Sequence, residues 1–122
     1  MFKTLKTLAF VAVLGLAATL TPTAEAGHPD GPGLIKASVA ARGANYHRIT
    51  FLAGEVAVVG LTGDGDTDLD LYVYDANGNL VVYNENDHDD AMVRFVPRRT
   101  QTFTIKVVNR GRVYNEYDLG HN

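Results

Sequence analysis

Residues 63–83 read GDGDTDLDLYVYDANGNLVVY, with Asp64, Asp66, Asp68 and Asp70 at every second position and Asp75 soon after. Two structures compete for this stretch. In a twelve-residue calcium loop, Asp64, Asp66 and Asp68 would fill the first three ligand positions, and Asp70 and Asp75 the seventh and twelfth. The sixth position of such a loop needs glycine for a sharp turn, and here it is Leu69. The twelfth is aspartate, one methylene shorter than the usual bidentate glutamate. In a β-strand, Leu69, Leu71 and Val73 point to one face, and Asp68, Asp70, Tyr72 and Tyr74 to the other. A loop wrapped around an ion cannot also bury three alternating apolar side chains, so the strand reading decides. Asn77-Gly78 then supplies a turn with positive φ, and LVVYN resumes the sheet.

The same alternation extends in both directions. Upstream, NYHRITFL and VAVVGLT flank an Ala-Gly-Glu turn. Downstream, ENDHDD interrupts the pattern, AMVRFV alternates and stops at Pro97, and QTFTIKVV puts Phe103, Ile105 and Val107 on one face. NRGR turns, and VYNEYDL closes the chain. Residues 34–41, LIKASVAA, alternate as a strand, although their alanines also permit a short helix. Seven or eight short strands with turns every eight to twelve residues predict an all-β antiparallel β-sandwich. Its core candidates are Val59, Leu61, Leu69, Leu71, Val73, Phe95, Phe103, Ile105 and Val107. Each large side chain buried contributes roughly 1.5–3 kcal/mol of transfer free energy.

The chain divides into three parts. Residues 1–26 carry Lys3 and Lys6, an apolar run from Leu8 to Leu20, and a closing Ala24-Glu25-Ala26. This is the pattern of a secretory signal peptide cleaved after Ala26. The run is short for a membrane span and is soon followed by Pro22. Residues 27–33, GHPDGPG, have the composition of a flexible linker. Residues 34–122 form one domain. The expected protein is secreted, extracellular or periplasmic, with no membrane span after cleavage, and a monomer.

Removing Lys3, Lys6 and Glu25 from the 11 basic and 14 acidic residues leaves 9 and 13, a net charge of −4. Residues 64–90 hold nine acids and no Lys or Arg, whereas six bases follow Asp90. The acidic balance, and bases without interleaved aromatics, argue against nucleic acid. Zero cysteines exclude disulfide staples, thiol catalysis and thiolate-bound zinc.

The central segment, DTDLDLYVYDANGNLV at residues 66–81, resembles the main motif of the bacterial pre-peptidase C-terminal domain family, a form close to D-x-D-L-Y-L-Y-D-x-x-G-N-L-V. YHRITFLAGEVAVVGLTG, MVRFVPRRTQTFTIKVVN and NEYDL resemble the flanking strands of that family, so the likeness runs over residues 45–119. The resemblance implies a jelly-roll-like β-sandwich. Such domains are usually appended to secreted peptidases, and relatives in clostridial collagenases bind collagen with calcium. This chain carries no peptidase sequence. Of the acid-rich segment that supplies calcium ligands in the collagen-binding relatives, it has only Asp30.

A strand still leaves room for an ion at its entrance. Asp64 and Asp66 sit in TGDGD, where two glycines let backbone fold around a ligand. Asp68 and Asp70 follow on one face, about 7 Å apart by strand geometry. Calcium held by Asp64, Asp66, Asp68 and Asp70 is one expectation, with the loop at residues 85–90 as a further source of ligands. A solvated acidic face is the other. Tyr72, Tyr74 and Tyr83 are candidate ligand-binding residues, because outward aromatics beside acids can form a surface for protein or polysaccharide. Catalytic signatures are missing: no G-x-S-x-G, no H-E-x-x-H and no phosphate loop, with His28, His47, His88 and His121 scattered. The expected function is therefore a secreted non-catalytic binding module for an extracellular protein or polymer. The alternatives are an exported structural or chaperone-like factor docking on a secreted peptidase, or a small acid-dependent hydrolase.

Overall fold

A computed structural model describes residues 27–122; the signal peptide predicted for residues 1–26 lies outside them. Eight strands follow in order: β1 (Gly33–Val39), β2 (Ala44–Phe51), β3 (Ala57–Thr62), β4 (Leu69–Tyr74), β5 (Leu80–Asn84), β6 (Asp90–Phe95), β7 (Gln101–Asn109) and β8 (Asn115–His121). They form two four-stranded sheets, β1-β8-β3-β6 and β2-β7-β4-β5, with every pairing antiparallel. Successive strands mostly alternate between the sheets, as in a jelly roll. Residues 34–41, open between strand and helix in the sequence, supply β1 through Val39. Among the described residues no helix is long and apolar enough to cross a membrane.

The core lies between the sheets. Leu69, Leu71 and Val73 are fully buried, as the alternation in β4 requires, and Phe103, Ile105 and Val107 match them on β7. Val59 and Leu61 face them from β3, joined by Val39, Ile49, Phe51, Tyr117 and Leu119. Phe95 is only partly buried, but it stands edge-on to Phe103 with ring centroids 5.0 Å apart and to Phe51 at 5.6 Å. Such pairs add stabilisation beyond area burial.

The segment read as a flexible linker is fastened down. The His28 N–H donates to the Asn122 carbonyl at 3.0 Å, and the Gly27 carbonyl accepts from the Leu52 N–H at 2.8 Å. Gly33 is already the first residue of β1. Glycine and proline do keep residues 27–32 out of a sheet, but backbone groups need partners, and Leu52 after β2 and Asn122 after β8 provide them.

Candidate binding face and the acidic entrance to β4

Register sets the main surface feature. Tyr46 on β2 pairs with Lys106 on β7, Lys106 pairs with Tyr72 on β4, and Tyr72 pairs with Tyr83 on β5. These four residues form one row across the whole β2-β7-β4-β5 sheet. Side chains alternate across a strand, so the row stands on the face opposite the core residues Ile105 and Leu71. With neighbouring strands about 4.8 Å apart, it runs roughly 14 Å. Tyr46 is 62% exposed and Tyr83 54%, which makes both available to a partner.

The row is held by its own contacts. Lys106 Nζ lies 5.9 Å from the Tyr46 ring centroid and 5.8 Å from that of Tyr72, within cation–π range of both. The Tyr72 and Tyr83 rings stack at 6.1 Å, their planes 19° apart. The Tyr72 hydroxyl donates to Glu85 and accepts from the Arg110 guanidinium at 2.8 Å. Burial, and then the Glu85 hydrogen bond, push the Tyr72 phenol above its ordinary pKa, while Arg110 opposes them. Tyr74 lies in the next row, paired with Thr104, which pairs in turn with Arg48. Of the tyrosines expected to bind, Tyr72 and Tyr83 are therefore in direct contact and Tyr74 is their neighbour. Tyr46, Lys106 and Arg110 were missed. The strand alternation contained Tyr46 and Lys106, but their alignment with Tyr72 depends on which strands pair.

The four aspartates expected to share an ion divide into two groups. Asp64 binds protein backbone: its Oδ1 accepts from the Asp66 N–H at 3.2 Å and its Oδ2 from the Glu116 N–H at 3.0 Å. The glycines beside it fold around protein side chains as well. A Cβ on Gly63 would come within 2.6 Å of Asp89 Oδ2 and 2.8 Å of Asn115 Oδ1, so only glycine fits this close approach. Asn115 Oδ1 also accepts from the Asp64 N–H at 3.0 Å, and Asp89 accepts from the Gly65 N–H. Asp66 is exposed.

Asp68 and Asp70 form the second group. Asp70, read in the sequence as a calcium ligand or part of a solvated acidic face, is only 5% exposed and its Oδ2 accepts from Arg110 Nε at 2.8 Å. The cause is Arg110, which folds back over the sheet; its own pKa is raised first by that bond and then by Tyr72. Asp68 Oδ1 and Asp70 Oδ1 are both buried with no hydrogen-bond partner. Desolvation, and then the charges of Asp70 and Asp87, push the Asp68 carboxyl above its usual range. Two carboxylates with orphaned oxygens attract a proton or a cation. Among the described residues, no group of three or more His, Asp or Glu side chains is arranged to hold a metal ion.

No protein-family profile matches the sequence, and no curated protein matches it. Solved structures do resemble the fold. The pre-peptidase C-terminal domain of a Bacillus anthracis collagenase superposes with a TM-score of 0.57 at 12% identity, over 74% of this chain and 88% of that one. PliG of Aeromonas hydrophila, a periplasmic inhibitor of g-type lysozyme, gives 0.56 at 13% identity over 75% and 84%. The Yersinia pseudotuberculosis-derived mitogen gives 0.55 at 11% over 75% and 85%. At these identities the likeness establishes a shared β-sandwich fold.

Proposed function

We propose that the protein is an exported, non-catalytic binding module that recognises an extracellular protein or polysaccharide through the outer face of the β2-β7-β4-β5 sheet. The observation that carries this reading is the transverse row Tyr46–Lys106–Tyr72–Tyr83. Exposed tyrosines combine large apolar area with low rotamer entropy, which is why they dominate binding hot spots. The signal-peptide pattern supports export. The motif at residues 66–81 and the shared fold support a relative of the pre-peptidase C-terminal domain. A related fold in a lysozyme inhibitor is in keeping with a protein partner.

The test compares the wild-type protein with a Tyr46→Ala/Tyr83→Ala variant on immobilised polysaccharides and on proteins of the organism's own secreted fraction. Saturable wild-type binding that the variant loses while its melting temperature stays within a few degrees supports the reading. Binding that both proteins share equally rules this face out.

A further inference from the structure

The β4–β5 ladder slips near its turn. Val73 pairs with Val82 but Tyr74 pairs with Leu80, so Val81 is the extra residue of a bulge. Leu80 and Val81 are left 49% and 42% exposed, and Val96, on the loop between β6 and β7, is 56% exposed. Between them opens a cavity of about 390 Å³, floored by Phe95, Pro97 and Phe103 and rimmed by Asp75, Arg98 and Gln101. Its size falls within the range of small-molecule sites.

The rim carries an acid, a base and an amide, and their existing bonds differ. Asp75 Oδ1 already accepts from the Asn77 and Asn79 N–H groups, each at 2.9 Å, and its Oδ2 faces Asn79 Nδ2 at 3.4 Å. Gln101 Oε1 accepts from the Ala76 N–H at 3.0 Å, which leaves the carboxamide NH₂ to donate. Arg98 has no ion pair or side-chain hydrogen bond among the described residues. The free donors on this rim are the charged Arg98 guanidinium and the Gln101 NH₂, above an aromatic floor, while the Asp75 carboxylate is turned to the Asn77 and Asn79 groups of its own turn.

We propose that this cavity binds a small amphiphilic carboxylate. Its aryl or branched-alkyl body rests on Phe95 and Phe103 between Leu80, Val81 and Val96. Its carboxylate takes the Arg98 guanidinium, whose fork matches carboxylate geometry, and the Gln101 NH₂. The site is separate from the tyrosine row and stands or falls independently of it.

Sodium 4-phenylbutyrate and its uncharged analogue 4-phenylbutan-1-ol are suitable probes, titrated into isotope-labelled protein and followed by backbone amide shifts. The acid is expected to give saturable shifts at Leu80, Val81, Val96, Gln101 and Phe103 and to bind about tenfold more tightly than the alcohol, the worth of one charge-assisted hydrogen bond. Arg98→Gln should remove that difference and leave the alcohol's affinity unchanged. Val81→Trp, which fills the cavity from its exposed wall, should abolish both. The proposal is overturned by no saturation with the acid, by equal affinity for acid and alcohol in the wild type, or by shifts centred on Tyr46, Tyr72 and Tyr83.

Discussion

Tyr72 and Tyr83 face each other across the β4–β5 pair, with ring centroids 6.1 Å apart and planes 19° from parallel. One of them is tied to Arg110 and Glu85, and the other is more than half exposed. An anchored ring thus supports a free one, and Lys106 continues the arrangement to Tyr46.

The two faces of β4 should respond differently to truncation. Leu71 is fully buried, so Leu71→Ala should cost about 2–5 kcal/mol through lost transfer energy and the cavity left behind. Tyr72→Ala removes a half-buried ring and exposed hydrogen bonds, and should cost distinctly less. Chemical denaturation of both variants checks this, and a larger loss for Tyr72→Ala would reverse the assignment of faces.

Asp68→Asn should raise the melting temperature by a few degrees at pH 7. The new amide can donate to the orphaned Asp70 Oδ1, and one of two crowded charges disappears. The sign follows from linkage: a carboxyl whose pKa is raised in the fold loses stability as pH rises through the window above its ordinary value. The gain from Asp68→Asn should therefore shrink as the pH falls towards 4. A thermal melt series from pH 4 to 8 measures it, and a constant or inverted difference would contradict the pair's strain.

Calcium held by Asp64, Asp66, Asp68 and Asp70 was one expectation, and the buried oxygens without a hydrogen-bond partner are on Asp68 and Asp70. Two carboxylates bind weakly, so any rise in melting temperature should need millimolar calcium and should exceed that given by magnesium. Asp68→Asn should abolish the calcium response, whereas Asp66→Asn should leave it unchanged. Melts in calcium, magnesium and chelator at fixed ionic strength decide this. Equal loss in the two variants would restore the four-ligand set.

Acidification should act through two histidines. His47 Nε2 lies 2.7 Å from the Tyr117 hydroxyl, which also accepts from Asn45 Nδ2 at 3.0 Å, and burial lowers the His47 pKa. His121 is lowered mainly by burial, with His28 adding to it and the Asn122 carbonyl opposing. The unfolded chain binds these protons more readily, so stability should fall as pH drops through about 6.5 and below. Denaturation midpoints between pH 5 and 8 should show that slope, and it should flatten in His47→Gln. An unchanged slope in that variant would remove His47 as a source.

The strands and half of the core were legible because period-two alternation is local: Leu69, Leu71 and Val73 declare a buried face without reference to any other strand. Ile49, Phe51, Tyr117 and Leu119 were not singled out. Phe51 and Leu119 lie near strand ends, and Tyr117 looks like a surface tyrosine until its hydroxyl is seen against His47 and Asn45. The acidic repeat did not reveal that one spacing serves two purposes. Asp64 closes a turn against Glu116, and Asp70 anchors Arg110, a residue 40 positions away. The tyrosine row was half visible, since Tyr72 and Tyr83 share a hairpin, whereas Tyr46 and Lys106 reach it only through long-range pairing.

Binding through the β2-β7-β4-β5 face is open to a direct test. The most direct measurement is solvent protection of that face when the secreted-fraction partner or polysaccharide captured by the wild-type protein is added back. Amide and side-chain NMR signals of Tyr46, Tyr72, Tyr83 and Lys106 report it. Saturable perturbation of all four is expected, with Tyr46→Ala/Tyr83→Ala weakening binding at least about tenfold. Perturbation confined to the β1-β8-β3-β6 sheet, with the double variant binding as the wild type does, would contradict it.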